Sequence, residues 1–297
     1  MDLHVLLTGA TGLLGRAVYH DLQSRPDTRV TGWALSRASG DIHSVDLLDF
    51  ETVAGKLQSL RPDVIVHTAA HRKPDVCEND PDATVKLNVD TPRHIARIAA
   101  GLGTRVLYIS TDYVFDGTSP PYRPEDPTNP LNTYGRSKRD GERALRETGC
   151  DYRILRVPIL YGNVESPEES AVTSLLDIAK ASEPKNVDHW ATRYPTHVED
   201  CAVVIGKLIC RWKELGTILH WSSDEPMTRY EMACAIAEAF SFPSNHLIPA
   251  SQPPPGAPRP RNSHLDCSEL ESAGIGRRTP FKVGIAKALE RFVVSKK

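Results

Sequence analysis

Short apolar runs alternate with stretches of helical periodicity along the first half of the chain. The apolar runs predict strands at Val5–Thr8, Arg29–Ala34, Val64–His67, Arg105–Ser110 and Ile154–Pro158. Between them, apolar residues recur at helical spacing and predict helices near 15–24, 50–60, 83–101 and 134–148. Strands that alternate with helices pair in parallel and are covered on both faces. The pattern therefore predicts an α/β fold with a Rossmann-like doubly wound parallel sheet.

The regular alternation weakens after Gly162. Helical patterns continue near 169–181, 198–214 and 228–240, and a proline-rich stretch follows at 253–260. Prolines at this density do not fit a central strand or a helix interior, so we predict an ordered loop or polyproline II segment. We predict that 1–165 and 187–224 form the Rossmann-like, dinucleotide-binding domain. In this interpretation 166–186 and 225–297 form a smaller, C-terminal substrate-side domain.

A glycine-rich turn directly follows the first predicted strand. Gly9, Gly12 and Gly15 have the spacing of a dinucleotide-binding turn. The first glycine lets the chain leave the strand tightly, the second lets the backbone approach a pyrophosphate, and the third lets the next helix pack on the sheet. Free N–H groups at the helix start would bind the phosphates. An ordinary glycine-rich turn is the alternative, and the flanking strand and helix patterns favour the dinucleotide site.

The charge and cysteine content exclude several classes of function. The chain has 36 basic and 38 acidic side chains, so no overall field attracts nucleic acid or an anionic membrane. Its six cysteines are scattered without a Cys-x-x-Cys pair, which favours a reducing compartment and argues against structural zinc. His67, His71, His189 and His197 lack metal-ligand spacing, so we predict no metal site. No signal segment or long apolar run is evident, and we expect a cytoplasmic location.

Tyr134 and Lys138 are a candidate catalytic pair. They are four residues apart and would share one face of a helix. A neighbouring ammonium group favours the phenolate, so we predict that Lys138 lowers the pKa of Tyr134. Thr111, at the end of a predicted strand, would hold a substrate oxygen. A surface tyrosine beside a solvated lysine is the alternative, which the glycine-rich turn makes less favourable.

The end of the second predicted strand bears on the choice between NAD and NADP. An acidic side chain there would bind a ribose 2′-hydroxyl, but the sequence reads Leu35-Ser36-Arg37. Arg37 is suited to pair with a 2′-phosphate, and Arg16 is a second candidate. A solvated loop arginine is the alternative, and Asp41 would change the prediction if the strand ran longer. We predict tighter binding of NADPH than of NADH.

These motifs resemble the extended short-chain dehydrogenase/reductase superfamily over nearly the whole chain. Ser110–Phe115, the Tyr134 and Lys138 pair, and Arg259–Asn262 are similar to dTDP-4-dehydrorhamnose reductases. The resemblance to the regulatory β subunits of methionine adenosyltransferases is closer. It is carried by Thr8–Val18, Ala69–Val76, Asp112–Thr118, Pro158–Gly162, Glu169–Thr173, Asp188–Trp190, Pro195–Val198 and Tyr230–Ala237.

The resemblance implies roles for individual residues. Tyr134 would act as general acid, Lys138 would lower its pKa and hold the nicotinamide ribose, and Thr111 would polarise a carbonyl. Arg259 and Arg261 would meet a substrate diphosphate in a reductase, and a solvated basic loop is equally compatible with them. The predicted cofactor contacts are Gly9, Thr11, Gly12, Leu13, Leu14, Gly15, Arg16, Ser36, Arg37, Asp46, Leu47, Ala69, Ala70, Asn88, Tyr134, Lys138, Val157 and Pro158.

Two functions stay open at this point. The resemblance favours an NADP-binding regulatory subunit that associates with the catalytic α subunit and modulates S-adenosylmethionine synthesis. The alternative is an NADPH-dependent reductase of dTDP-4-dehydrorhamnose or a related keto sugar. The β subunits also have a C-terminal tail, beyond the position of Phe292, that inserts into the α subunit. The printed sequence ends at Lys297, and the docking mode stays open.

Overall fold

The computed structural model describes residues 3–294. The strands of the described chain are β1 Leu3–Thr8, β2 Thr28–Ala34, β3 Ile42–Ser44, β4 Val64–His67, β5 Arg105–Thr111, β6 Tyr152–Val157, β7 Leu160–Tyr161, β8 Lys185–Asp188, β9 Thr196–His197, β10 Ile218–His220 and β11 Leu247–Ala250. Seven of them form a parallel central sheet within that range, in the order β10-β6-β5-β4-β1-β2-β3. The order confirms the predicted doubly wound, Rossmann-like fold. Two smaller parallel pairs, β7 with β9 and β8 with β11, lie outside this sheet.

Helices connect the strands. In the described chain they are α1 Leu13–Gln23, α2 Phe50–Leu60, α3 Pro74–Asn79, α4 Pro81–Val85, α5 Thr91–Leu102, α6 Thr133–Arg146, α7 Leu175–Lys180, α8 Val198–Cys210, α9 Arg229–Ala239, α10 Ser268–Ser272 and α11 Phe281–Val294. No helix among residues 3–294 is long and apolar enough to cross a membrane. The tail that the resemblance implies lies outside the described residues.

Apolar side chains form clusters on both faces of the central sheet. On one face α1 and α8 pack through residues such as Val18 and Ile205. On the other face α2 and α5 contribute Leu57 and Ile95. Full burial of both faces explains why the strands read as continuous apolar runs.

A third apolar cluster joins α7, α9 and α11 with the β8–β11 pair. Met232 and Phe281 are almost fully buried in this cluster. The proline-rich stretch 253–260 contains no helix or strand, as predicted. The boundaries of the two predicted domains stay a prediction.

The predicted helix at 83–101 is wrong as a continuous α-helix. It is divided into α4, a π-helical turn at Lys86–Asp90, and α5. Pro92 has no N–H to donate to the Asn88 carbonyl. That carbonyl instead accepts a hydrogen bond from the Tyr108 hydroxyl at 3.2 Å. The π-turn thereby anchors the chain to β5.

Two further helix predictions were too long. The stretch 169–181 begins at the last residue of a short 3₁₀ turn, Pro167–Glu169, and its only α-helix is α7. Ser170 has extended backbone between them, and its hydroxyl donates to the Leu160 carbonyl at 2.7 Å. The stretch 198–214 ends as α8 at Cys210, followed by a 3₁₀ turn. Side-chain bonds to the backbone and short turns of this kind compete with α-helix.

Candidate functional site

The glycine-rich turn lies at the carboxyl end of β1, against the loop that follows β4. Gly9 has a φ of 74°, in the left-handed region that favours glycine. A Cβ at Gly9 would lie 2.8 Å from the Ala69 nitrogen, and one at Gly15 would lie 2.0 Å from the Gly9 oxygen. Both glycines are therefore required by close backbone approach. Ala70 follows Ala69 in the same loop, and both are half-buried.

The start of α1 presents backbone N–H groups without a side-chain cap. Its N-cap is Gly12, which has extended backbone and no side chain to accept their hydrogen bonds. Leu13 and Leu14 are the first residues of α1, and their side chains are buried in the apolar core. Only their backbone N–H groups are therefore placed to bind a ligand at the helix start. An uncapped N-terminus of an eleven-residue helix favours anions. This cradle fits a dinucleotide pyrophosphate.

Arg16 and Arg37 meet at one backbone carbonyl. Arg16 Nη1 donates to the Thr11 oxygen at 2.8 Å, and Arg37 Nη2 donates to the same atom at 2.9 Å. The Thr11 hydroxyl donates to the Ser36 carbonyl at 3.0 Å, which joins the turn to the end of β2. The structure therefore brings together four predicted cofactor residues from two separate segments.

Asp41 lies in the turn before β3 rather than at the end of β2. The second strand ends at Ala34, as predicted, so the residues that follow it are Leu35, Ser36 and Arg37. Arg37 has a φ of 58°. For a residue with a side chain this conformation costs about 1–2 kcal/mol. The fold therefore holds Arg37 in place against a local backbone cost.

Both arginines are paired with carboxylates of one segment. Arg16 makes a two-pronged contact with Glu169 at 2.8 and 2.7 Å, and Arg37 pairs with Glu165. Burial acts to raise the pKa of Glu169, but its hydrogen bonds with Arg16 and the Glu165 backbone hold that pKa below the usual range. These contacts leave no local signal in the sequence, because 153 residues separate Arg16 from Glu169.

The other predicted cofactor residues lie around the carboxyl edge of the sheet. Asp46 is exposed and accepts the Leu48 N–H at 2.9 Å, whereas Leu47 is buried among the apolar residues of the α2 face. Val157 and Pro158 are buried where β6 ends. These positions surround the turn and the end of β5.

Asn88 joins the loop after β4 to α6. Its amide nitrogen donates to the His71 carbonyl and to the Ser137 hydroxyl, each at 2.9 Å. Its amide oxygen accepts the His71 N–H at 2.9 Å. The side chain thereby fixes the loop of Ala69 and Ala70 relative to the helix that carries Tyr134.

Thr111, Tyr134 and Lys138 come together between β5 and α6. The Thr111 hydroxyl lies beside the Tyr134 phenol and acts to lower the pKa of that phenol. Asn132 caps α6 by accepting the Gly135 N–H at 2.8 Å. Lys138 is buried, and its Nζ lies 3.9 Å from the centroid of the Tyr108 ring. The ammonium group thus has an aromatic neighbour on β5.

The prediction that Lys138 lowers the pKa of Tyr134 is wrong in this structure. Burial of the phenol raises its pKa well above the usual range, and the neighbouring Thr111 hydroxyl offsets only part of this effect. Burial also lowers the pKa of Lys138 to about 7, against an opposing influence of Glu142. Tyr134 is therefore a neutral phenol at neutral pH, which is the form that donates a proton.

Sequence reasoning missed Asp112, a buried carboxyl group beside Thr111. It accepts hydrogen bonds from the Thr111 hydroxyl at 3.1 Å and from the Ser263 hydroxyl. Burial raises its pKa to about 6, while Ser263 and the buried Arg193 oppose that shift. Asp112 lies in the stretch Ser110–Phe115, which carries the family resemblance, and nothing in its sequence spacing indicates that it is buried.

Basic side chains from the second half of the chain also reach this region. The guanidinium carbon of Arg193 lies 5.7 Å from the Tyr113 ring centroid. Arg259 pairs with Asp75 at 2.6 Å, so the proline-rich loop is tied to α3.

His67, one of the histidines considered above as metal ligands, is buried and hydrogen-bonded to the Thr8 hydroxyl at 2.8 Å. Across residues 3–294 no group of His, Cys, Asp and Glu is arranged to hold a metal ion.

Comparisons with known proteins agree with this arrangement. The family model of the RmlD substrate binding domain matches residues 3–294. Methionine adenosyltransferase 2 subunit beta from Bos taurus is 50% identical, covering 99% of this chain and 89% of the bovine protein. A dTDP-4-dehydrorhamnose reductase from Sinorhizobium fredii is 32% identical, covering 94% of this chain and 93% of its own.

A solved structure extends the comparison to a cofactor complex. The dTDP-4-dehydrorhamnose reductase from Bacillus anthracis, solved in complex with NADP, is 28% identical with a TM-score of 0.83. The match covers 100% of both chains. The fold described above is therefore similar, end to end, to a fold that holds a dinucleotide in that reductase.

Proposed function

The chain belongs to the RmlD substrate binding domain family, and we propose that it is an NADP-binding regulatory subunit of a methionine adenosyltransferase. The observation that carries this proposal is the 50% identity to the bovine subunit beta over nearly the whole chain. Identity to the Sinorhizobium fredii reductase is 32% over a similar length. A shared fold leaves both functions possible, so the higher similarity decides between them.

The cofactor in this proposal is NADP(H) rather than NAD(H). Arg37 follows the end of β2 and Arg16 lies in the first turn of α1, and both reach the Thr11 carbonyl beside the glycine-rich turn, where a ribose 2′-phosphate would bind. Guanidinium groups bind phosphate through two parallel N–H donors. The uncapped start of α1 would hold the pyrophosphate.

The partner in this proposal is the catalytic subunit of methionine adenosyltransferase. The complex would form in the cytoplasm, where it would modulate S-adenosylmethionine synthesis. Its test is the rate of S-adenosylmethionine formation by the catalytic subunit of the same organism, with and without the chain, over a range of methionine concentrations. We expect a changed rate or methionine dependence.

The Sinorhizobium fredii reductase is a matched control for that assay, because it shares the fold without the close similarity to the β subunits. The control protein should leave the rate unchanged. An equal effect of the two proteins, or no effect of the chain, would count against the regulatory role.

A second candidate function, reduction of a nucleotide-linked keto sugar, is favoured by the position of the Thr111 hydroxyl beside the Tyr134 phenol. When bound, the dinucleotide supplies the hydride. Tyr134 would give its proton to the carbonyl oxygen, and Thr111 would orient that oxygen through its hydroxyl. The neutral phenol of Tyr134 has the protonation state that this step requires.

The test of the second function is the consumption of NADPH on addition of dTDP-4-dehydrorhamnose. Turnover that Tyr134→Phe abolishes, with dinucleotide affinity retained, would establish a reductase. Firm dinucleotide binding without turnover would leave the regulatory role as the function of the site.

A further inference from the structure

Glu165 and Glu169 come from a single segment that contacts Arg16 and Arg37, the two arginines of the proposed 2′-phosphate site. The segment, residues 163–170, follows β7 and precedes α7. Arg16 also donates to the Asn163 carbonyl at 3.2 Å. Every charged contact given above for the two phosphate-site arginines is therefore made with this one segment.

The two pairs differ in their exposure. The side chain of Glu169 is 12% exposed and that of Arg16 is 26% exposed. The side chains of Arg37 and Glu165 are about half exposed, at 48% and 52%. The Glu169 pair is thus the better shielded from solvent, and the Glu165 pair is the more easily exchanged.

A carboxylate and a phosphate compete for the same guanidinium donors. Each presents parallel oxygen atoms to the two N–H groups of an arginine, and a monoester phosphate has the greater charge. A nucleotide 2′-phosphate that binds Arg16 or Arg37 must therefore replace, or share the arginine with, a carboxylate of the segment.

We propose that Glu165 and Glu169 are internal anions that compete with the 2′-phosphate and so set the affinity gap between NADP and NAD. This inference rests on the proposed dinucleotide site and adds residues that determine its specificity. The pairs neutralise two positive charges that would otherwise attract every phosphorylated nucleotide. A ligand with a 2′-phosphate can exchange with them, and one without it gains nothing from the exchange.

The segment has other anchors, so removal of one charge leaves it in place. The Ser170 hydroxyl donates to the Leu160 carbonyl, and the Thr173 hydroxyl donates to the Pro167 carbonyl, each at 2.7 Å. Arg72 donates to the Glu169 carbonyl. Glutamine at position 169 would still accept the Glu165 N–H, now made at 2.9 Å. We therefore expect the glutamine variants to fold.

The test compares two probes by isothermal titration calorimetry, adenosine 2′,5′-bisphosphate and adenosine 5′-monophosphate. We expect Glu165→Gln and Glu169→Gln to bind the bisphosphate about two- to fivefold more tightly than the unmodified chain, from the known strength of exposed and partly exposed ion pairs. Affinity for the monophosphate should not change. Glu168→Gln is the matched control, because Glu168 lies in the same 3₁₀ turn and bonds with Ser166 instead.

Three results would overturn the inference while leaving the dinucleotide site intact. They are unchanged or weaker bisphosphate binding by both variants, an equal gain for the monophosphate, and an equal gain in Glu168→Gln. Failure of the proposed dinucleotide site looks different. In that case the unmodified chain and all variants would bind neither the bisphosphate nor NADP⁺, which would overturn the inference as well.

Discussion

Lys138 shows how a charged side chain at the candidate site can act against the stability of the fold. It is almost fully buried, and burial lowers its pKa to about 7. An unfolded lysine has a pKa near 10.4. Between these values the unfolded chain binds more protons than the folded chain, so the contribution of Lys138 to stability rises with pH in this window.

We therefore predict that Lys138→Met raises the free energy of unfolding at pH 7. The expected gain is about 1–4 kcal/mol, the range seen when buried ion pairs are replaced by packed apolar residues. The gain should persist below pH 7 and shrink as the pH rises towards 10. Urea unfolding at a series of pH values measures it. A loss of stability at pH 7 would show that the ammonium group is better accommodated than its burial indicates.

Residue spacing in the sequence predicted that Tyr134 and Lys138 share a helix face, but it did not predict how burial shifts their pKa values. The spacing of Tyr134 and Lys138 predicted one helix face, and α6 carries both residues. The effect on the pKa of Tyr134 was mispredicted because desolvation depends on distant segments. Asp112 illustrates the same limit, since its hydrogen-bond partner Ser263 is 151 residues away.

At the scale of single elements, the start of α6 lies very close to the 3₁₀ turn after β5. A Cβ at Gly135 would lie 2.2 Å from the Tyr113 carbonyl oxygen and 2.9 Å from Pro130. Both contacts are shorter than van der Waals distance, and one of them is with backbone. The glycine therefore fixes how closely the helix that carries Tyr134 approaches Thr111.

We predict that Gly135→Ala lowers the free energy of unfolding by about 1–3 kcal/mol, the usual cost of overpacking. It should also weaken dinucleotide binding, because Tyr134 and Lys138 would move with the helix. The matched control is Gly101→Ala in α5, where an added Cβ meets nothing within 4 Å. That variant should gain up to about 1 kcal/mol through helix propensity. Denaturation curves that rank the two variants in the opposite order would contradict the packing argument.

The inner strands of the central sheet could be predicted from the sequence, whereas its three-residue edge strands could not. The predicted strands all appear in the sheet, with shifts of at most two residues at their ends. The three-residue strands β3 and β10 at its two edges were missed, because three residues carry no measurable alternation. The π-turn was missed because the Tyr108 hydroxyl that donates to its Asn88 carbonyl comes from β5, a separate segment of the chain.

In the whole molecule, the candidate site is assembled from the central sheet and from segments of the second half of the chain. The sheet supplies the glycine-rich turn, Thr111 and α6. Later segments supply Arg193 and the proline-rich loop, whose Pro258 carbonyl accepts the Asn132 amide at 2.7 Å. Contacts across 126 residues leave no local signal in the sequence, which explains why this part of the site could not be predicted.

A regulatory subunit binds its catalytic subunit, so association of the two proteins decides whether the chain has this role. Sedimentation velocity of the two purified proteins from one organism, mixed at micromolar concentrations with and without NADP⁺, measures that association. We predict a single faster-sedimenting species that contains both chains. Separate sedimentation of the two proteins under both conditions would contradict it and would leave the reductase as the function to pursue.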